Sequence, residues 1–431
     1  MSYRIALTTL GCKVNQADSD HLAQAFRDAG CHVVAPDQPA DAYVVNTCTV
    51  TLVADRKARK LVRGLAATHP GAVIAVTGCY AAGLGRAVLE AMPEVDLLRG
   101  TSDRDTLPQA VLQELRRRAQ LGLVRWDESA NAATAPRVRA MLKAQDGCNQ
   151  VCAYCIVPSV RGGQRSRRFD DVVAEARERV RAGVRELVLC GIRLGAYGWD
   201  WPARRGSRFV PLQELVRALG EVAGLERLRL SSLLPLDIGP DLGRVLADTP
   251  VVCEHLHLPL QAGDDQVLRA MRRGYTTRRY REVVERLRAA LPGVALATDV
   301  MVGFPGETAE QFARTLAFCR ELAFADLHVF AYSPRPGTAA AALPDDVPPA
   351  EKHARSQALL ALRAALRQEF AARWLGQSVT ILVEECVHGA YEGLTRDYLR
   401  VRVAGVAPLG SLQPVTVTAI GPEVLVGQAA R

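Results

Sequence analysis

The spacing of apolar and polar residues divides the chain into stretches of different period. In the first hundred positions, RIALTTLG, DAYVVNTC and GAVIAVTGC are short apolar runs that read as strands. HLAQAFRDAG, closed by Gly30, and a basic stretch from Asp55 to Leu65 have helical spacing. Strands alternating with helices predict a parallel α/β sheet, and in such sheets ligands gather at the carboxyl ends of the strands. Cys12, Cys48 and Cys79 end or just follow three of these strands, so the pattern can bring them to one point.

The alternation resumes at Val138. RELVLCGI, RLRLSSL, CEHLHLPLQ, ALATDVMVGFPG and ADLHVFAYSP read as strands, and DDVVAEARERVRAG, LQELVRALGEV and YREVVERLRAAL as amphipathic helices. About six βα units are too few for a closed eight-stranded barrel and enough for an open partial one. Residues 349 to 374 predict one long helix. After Gly376 the period changes to two: SVTILVEEC, YLRVRVAGV and PVTVTAIG suggest a small antiparallel β-barrel of about 50 residues. The expected division is 1–118, a polar Ala-rich linker at 119–136, a core at 137–368 and the barrel at 369–431.

Composition narrows the function classes. Of 431 residues, 49% are hydrophobic and 23% charged, which excludes a disordered, collagen-like or coiled-coil chain. No apolar run reaches the ~18 residues of a membrane helix, and the first residues lack an export pattern, so a cytoplasmic protein without a membrane partner is expected. The net charge of +8 hints at a polyanionic partner. Eleven cysteines, an odd number, argue against a disulfide framework and for metal ligation or catalysis.

The densest chemistry is Cys148-Asn149-Gln150-Val151-Cys152-Ala153-Tyr154-Cys155, in a loop after the strand Arg139 to Ala144. Three thiolates at this spacing can hold three irons of a [4Fe-4S] cube, leaving the fourth iron open because no fourth cysteine lies nearby. A structural zinc site wants four ligands, and the nearest downstream histidine is His255. An open iron can bind a substrate's amino and carboxylate groups and deliver one electron into a sulfonium bond.

This arrangement, with an aromatic residue before the last cysteine, resembles the signature of radical S-adenosylmethionine enzymes. LGCKVNQADSD, VVNTCTV, VTGCY, CNQVCAYCIVPSVRGGQRSRR, HLHLPLQAGDD, TDVMVGFPGET and FAYSPRPGT extend the resemblance, in order, to the methylthiotransferases. AYEGLTRDYLRVRV resembles that family's RNA-binding TRAM module. The resemblance implies two [4Fe-4S] clusters, one on Cys148, Cys152 and Cys155 that cleaves S-adenosylmethionine and an auxiliary one on Cys12, Cys48 and Cys79 that carries sulfur. It implies a radical SAM core built as a partial (βα)6 barrel. Lys13-Val14-Asn15 resembles the group that adds a methylthio group to C2 of N6-threonylcarbamoyladenosine at tRNA position 37. The alternatives are N6-isopentenyladenosine in tRNA or a ribosomal-protein aspartate. A radical is needed because an aromatic C–H is neither acidic nor electrophilic, and stray water and reductants must be kept out.

Candidate S-adenosylmethionine contacts are Tyr154, Gly191 at the end of Leu189-Cys190-Gly191, Gln261 and Asp299, with a tight turn at Gly303-Phe304-Pro305-Gly306. Ala262 stands where Ser is common in relatives, and Cys190 where small or hydroxyl residues are common. Cys31, Cys253, Cys319 and Cys386 match no ligand motif and are expected to be packing residues, and His255 and His257 core or rim histidines. The expected RNA contacts are Arg161, Arg165, Arg167 and Arg168 after the cluster loop, and Arg396 and Tyr398 in the barrel. Basic runs at Arg56, Lys57, Arg59, Lys60 and Arg63 and from Arg269 to Arg281 could add phosphate contacts or be solvated faces. The implied partners are a tRNA anticodon stem-loop, where a base is cheaply unstacked, and an electron donor such as flavodoxin or ferredoxin.

Overall fold

The computed structural model describes residues 2–122, 138–202 and 211–430. The chain forms two compact units, the first made of Met1–Pro136, Asp146–Gln164 and Ser333–Ala341, the second of Arg137–Gln145, Arg165–Tyr332 and Ala342–Arg431.

The first unit is a parallel sheet of β1 (Arg4–Thr9), β2 (His32–Val34), β3 (Ala42–Thr47), β4 (Val73–Gly78) and β5 (Leu97–Leu98), in the order β2-β1-β3-β4-β5. Strands β3 and β4 are buried along their whole length because helices cover both faces. Alternate residues serve opposite cores: Ala42, Val44, Val73 and Ala75 pack with Leu22, Phe26, Leu107, Val111 and Leu115. Tyr43, Val45, Ile74 and Val76 pack with Ala58, Val62, Val88 and Met92. Cys12 immediately precedes the helix Lys13–Asp28, and Thr51 caps the helix Leu52–Thr68 by accepting from the Ala54 N–H at 3.2 Å.

The second unit holds six parallel strands, β6 (Arg139–Asp146, whose last residue belongs to the first unit), β8 (Glu186–Gly191), β9 (Arg227–Leu230), β10 (His255–His257), β11 (Ala295–Val302) and β12 (Asp326–Ala331), with β7 (Arg165–Ser166) on the outer edge of β6. They form two sheets, β7-β6-β8-β9 and β10-β11-β12, continued into one another by the parallel bridge Leu228↔Val252. This is the expected open partial barrel. The C-terminal barrel is closed, in the order β13 (Ser378–Val387), β14 (Ala390–Leu394), β15 (Arg400–Ala404), β17 (Leu425–Ala429), β16 (Leu412–Ile420). Its pairs are antiparallel except β15–β17, which is parallel. Five strands in a ring cannot alternate direction all the way round, so an odd barrel must contain a parallel pair.

Ala119 and Gln120 belong to the helix Leu107–Gln120, residues 123–136 of the linker lie outside the described residues, and position 368 lies within the helix Pro349–Ala372. Cys31, Cys190, Cys253 and Cys319 are buried as packing residues should be, but Cys386 is exposed, its thiol turned to the Ala407 carbonyl at 3.2 Å. Among the described residues no helix is long and apolar enough to cross a membrane.

Candidate functional site

The strand order of the first unit reverses between β1 and β3, and ligands of such sheets bind outside the carboxyl ends of the strands at this point. Cys12 follows β1, Cys48 follows β3, and Cys79 begins the short helix Cys79–Leu84 directly after β4. Glycines make the approach possible. A Cβ on Gly11, whose φ is +127°, would lie 2.9 Å from the Cys48 Cβ. One on Gly78, at φ +94°, would lie 2.4 Å from both Asn46 Oδ1 and the Thr47 carbonyl. Asn15 ties the ends together, donating to the Thr47 carbonyl at 2.9 Å and to Asn46 Oδ1 at 3.2 Å while its own Oδ1 accepts from the Cys12 thiol at 3.3 Å. The three thiols sense one another electrostatically. Burial pushes Cys48 up and Cys79 up to about 11, so without a metal these groups stay protonated.

The second cysteine triad lies in the same unit. Cys148, Cys152 and Cys155 are half-buried, in a loop closed by Cys148 N–H to the Gly162 carbonyl at 3.1 Å and by Cys155 N–H to the Cys152 carbonyl at 3.1 Å. Gln150 N–H donates to the Cys148 sulfur at 3.4 Å. The loop depends on Gly147, at φ +69°, where a Cβ would meet the Gly163 carbonyl oxygen at 2.0 Å. Gly147→Ala is expected to cost about 1–3 kcal/mol in backbone strain plus a steric clash. Gly30→Ala, at φ +80° with nothing within 4 Å, is the matched control. Thermal unfolding of the two variants checks this: equal losses would refute the steric part.

The structure corrects the expectation for Arg161. Its side chain is no exposed phosphate contact but is buried, 2% exposed, within this unit. Nε donates to Cys79 Sγ at 3.2 Å, Nη1 to Asp146 at 2.9 Å, and Nη2 to Asn15 Oδ1 at 2.8 Å and Asp18 at 3.1 Å. Burial opposes the guanidinium charge, and Cys79 in its thiolate form, with the carboxylates of Asp146 and Asp18, favours it. The sequence names Asn15 only within the Lys13-Val14-Asn15 motif and gives Asp18 and Arg335 no individual role. Arg335, in the FAYSPRPGT motif, donates to Thr49 Oγ1 at 2.7 Å and Asp55 at 2.8 Å beside Cys48, while its Nε and Nη1 have no partner among the described residues. All three lie in motifs that the sequence marks, but their partners, apart from Cys12 for Asn15, come from positions remote in the chain.

In the second unit, Gly191 ends β8 and Asp299 lies within β11. Gln261, after β10, is held at φ +76° by hydrogen bonds to the Asp299 carbonyl and from the Met301 N–H, both 2.8 Å. Asp299 accepts from His257 at 3.0 Å and His328 at 3.2 Å. Burial alone would raise the Asp299 carboxyl, but these two imidazoles hold it below the ordinary carboxylate range. His257, Asp299 and His328 thus share one polar cluster in the barrel, with Ser232 on the other nitrogen of His257 at 2.7 Å. Tyr154, in the first unit, is half-buried.

The basic residues divide. Arg165 and Arg168 are exposed, whereas Arg167 is engaged by Glu175 at 2.6 Å and the Lys143 carbonyl at 2.9 Å. Arg396 departs from the expectation: it grips Glu254 at 2.7 Å and the Val252 carbonyl at 2.6 Å. Tyr398 stacks on His255 at 4.6 Å, with Arg229 over its ring at 4.7 Å. Both residues, half-buried, join the small barrel to the core of the second unit. In the run from Arg269, Tyr275 and Tyr280 are buried and Arg281 pairs with Glu321 at 2.6 Å. On the helix Leu52–Thr68, Arg56, Lys57, Lys60 and Arg63 are exposed.

Soft sulfur donors in two groups of three suit iron–sulfur clusters with an open iron. The raised thiol pKa values do not oppose this, since coordination deprotonates a thiol outright, and Arg161 offers the first triad a compensating charge. Residues 142–319 match the radical SAM superfamily and residues 4–100 match a family described as uncharacterized protein family UPF0004. The threonylcarbamoyladenosine tRNA methylthiotransferase MtaB of Bacillus subtilis is 37% identical over 99% of this chain and 96% of its own length. The tRNA-2-methylthio-N(6)-dimethylallyladenosine synthase of Geobacter sulfurreducens is 35% identical over 97% of this chain and 96% of its own. The fold is similar to that of TsrM, a radical S-adenosylmethionine methyltransferase from Kitasatospora setae, with a TM-score of 0.57 and 13% identity over 79% of this chain and 77% of that one. A match of this extent along the whole chain makes this protein a member of the radical S-adenosylmethionine methylthiotransferase family.

Proposed function

We propose that this enzyme adds a methylthio group to C2 of N6-threonylcarbamoyladenosine at position 37 of tRNA, next to the anticodon. The observation that carries the reading is the presence of two cysteine triads in one compact unit. Cys148, Cys152 and Cys155 would hold one [4Fe-4S] cluster, and Cys12, Cys48 and Cys79 the auxiliary one. When bound, these clusters and S-adenosylmethionine supply one-electron sulfonium cleavage and the sulfur to be transferred.

The protein's own residues bind and orient. Tyr154, Gly191, Gln261 and Asp299 are assigned to S-adenosylmethionine. Gly191 offers edge backbone groups, and Asp299, held ionised by His257 and His328, offers a fixed anion. Exposed Arg165 and Arg168, with Arg56, Lys57 and Lys60 on the helix that follows Cys48, supply phosphate contacts that carry no sequence information. An external electron donor, such as flavodoxin or ferredoxin, and a cytoplasmic location belong to the same reading.

The choice of nucleoside is supported by Lys13-Val14-Asn15 and by the name of the Bacillus subtilis relative. Mass spectrometry of tRNA nucleosides from a deletion strain tests it. Loss of 2-methylthio-N6-threonylcarbamoyladenosine, restored by the wild-type gene, is the expected result. Loss of the methylthio derivative of isopentenyladenosine instead would transfer the enzyme to the other nucleoside. Intact tRNA nucleosides in a strain with no second such enzyme would overturn the tRNA reading.

A further inference from the structure

We propose that Arg161 is a positioning residue of the auxiliary site that ties the loop bearing the second cysteine triad to Cys79 and raises the reduction potential of the cluster held there. The inference rests on the cluster assignment above and goes beyond it by giving a role to a side chain that touches neither substrate nor solvent.

Three observations carry it. Arg161 stands six positions after Cys155, yet its Nε–H points at Cys79 Sγ, a ligand of the other triad, at 3.2 Å. Its Nη2 reaches Asn15 Oδ1 at 2.8 Å, the atom that also accepts from the Cys12 thiol, so one guanidinium is linked to two of the three auxiliary cysteines. Finally, the group is immobilised: Asp146 and Asp18 hold it further, Asp18 is itself bound by Arg104 at 2.7 Å, and the Arg161 backbone lies one residue before the Gly162 carbonyl that receives Cys148 N–H.

The physical consequence follows from charge. A cube with three thiolate ligands gains a negative charge on reduction, and hydrogen bonds to its sulfurs, net charge and solvent exposure set the potential. A buried cation that donates to a ligand sulfur stabilises the reduced state more than the oxidised state. Its planar fork is also pre-organised for several partners at once, which a lysine cannot reproduce. The same fork couples the two halves of the site mechanically, because a shift of the loop 146–164 would move the donor off Cys79.

The test isolates one cluster in the full-length protein. In a Cys148→Ala/Cys152→Ala/Cys155→Ala background, anoxic reconstitution is expected to leave about four irons per chain on the N-terminal triad. Redox titration followed by electron paramagnetic resonance then compares Arg161 with Arg161→Gln and Arg161→Lys. Arg161→Gln should lower the midpoint potential by at least a tenfold change in the reduction equilibrium, about 59 mV for one electron. Arg161→Lys keeps a cation and the fold but loses the Nε–H···S bond, so its potential should fall between the two. Four irons with unchanged potential and signal in both variants would overturn the role of Arg161 and leave the cluster assignment standing. A background without iron would overturn the assignment itself.

Discussion

Replacing Cys12, Cys48 and Cys79 together by alanine is expected to halve the iron of anoxically purified protein, from about eight to about four per chain, and to abolish methylthio transfer. The same variant should still form 5′-deoxyadenosine from S-adenosylmethionine under a strong reductant, because the Cys148–Cys155 loop keeps its own closure through Cys148 N–H and Gly162. The reciprocal triple replacement of Cys148, Cys152 and Cys155 should also retain about four irons but form no 5′-deoxyadenosine. The first triad stands at the carboxyl ends of β1, β3 and β4, and the second in a glycine-clasped loop with its own backbone closure, joined to the first through Arg161. Iron analysis and nucleoside chromatography read both outcomes. Iron unchanged after loss of the amino-terminal thiols would remove the auxiliary cluster from the account.

A second large effect is expected at Glu186, far from any cysteine. Glu186, Arg227 and Arg229 are almost wholly buried in the second unit. Arg229 Nε donates to Glu186 at 3.0 Å, while Arg227 and Arg139 stand 3.8 Å from the same carboxylate. The arginines face the small barrel as well: Arg227 donates to the carbonyls of Leu394 at 2.8 Å and Thr380 at 2.7 Å, and Arg229 to that of Arg396 at 2.9 Å. Deleting the carboxylate strands buried cations, which typically costs about 3–5 kcal/mol. Glu186→Ala should therefore lower the midpoint of thermal unfolding of this unit by roughly 6–20 °C. Limited proteolysis should show β13–β17 released first. Glu186→Leu combined with Arg229→Met should lose less than the sum of the single changes, since both partners leave together.

The pH dependence follows from the same group. Burial alone would raise the Glu186 carboxyl, but Arg229, Arg139 and Arg227 overcome this and hold it below its ordinary value. A depressed carboxylate contributes stability that is complete above the unfolded pKa, about 4.3, and is lost as pH falls through the folded value. The junction should accordingly weaken in acid, and Glu186→Gln should flatten that part of the profile.

The cysteine spacing, the alternation of strands and helices and the change to period two were all readable along the chain, because each is a local pattern. They led to two triads, an α/β sheet with an open partial barrel and a small closing barrel. What a linear pattern cannot show is which distant side chain a charge will meet. Arg161 lies in an acid-free basic run that reads as a phosphate surface, but Asp18, Asn15 and Cys79 come from remote positions to enclose it. Arg396 and Tyr398 lie in a motif that resembles an RNA module, but Glu254, His255 and Arg229 take up their faces. Cys386 was expected to pack, but it is exposed near the end of β13, opposite Tyr391 of β14.

By itself, then, the sequence determined which residues can carry soft-metal chemistry and in what order the elements occur, since side-chain type and periodicity are properties of neighbouring residues. The tertiary structure alone decided that the strand order reverses at β1 and β3, that Arg161 reaches Cys79, and that the odd barrel closes through the parallel pair β15–β17. Those outcomes depend on which segments pair across long separations, and pairing is settled by the packing of both faces at once.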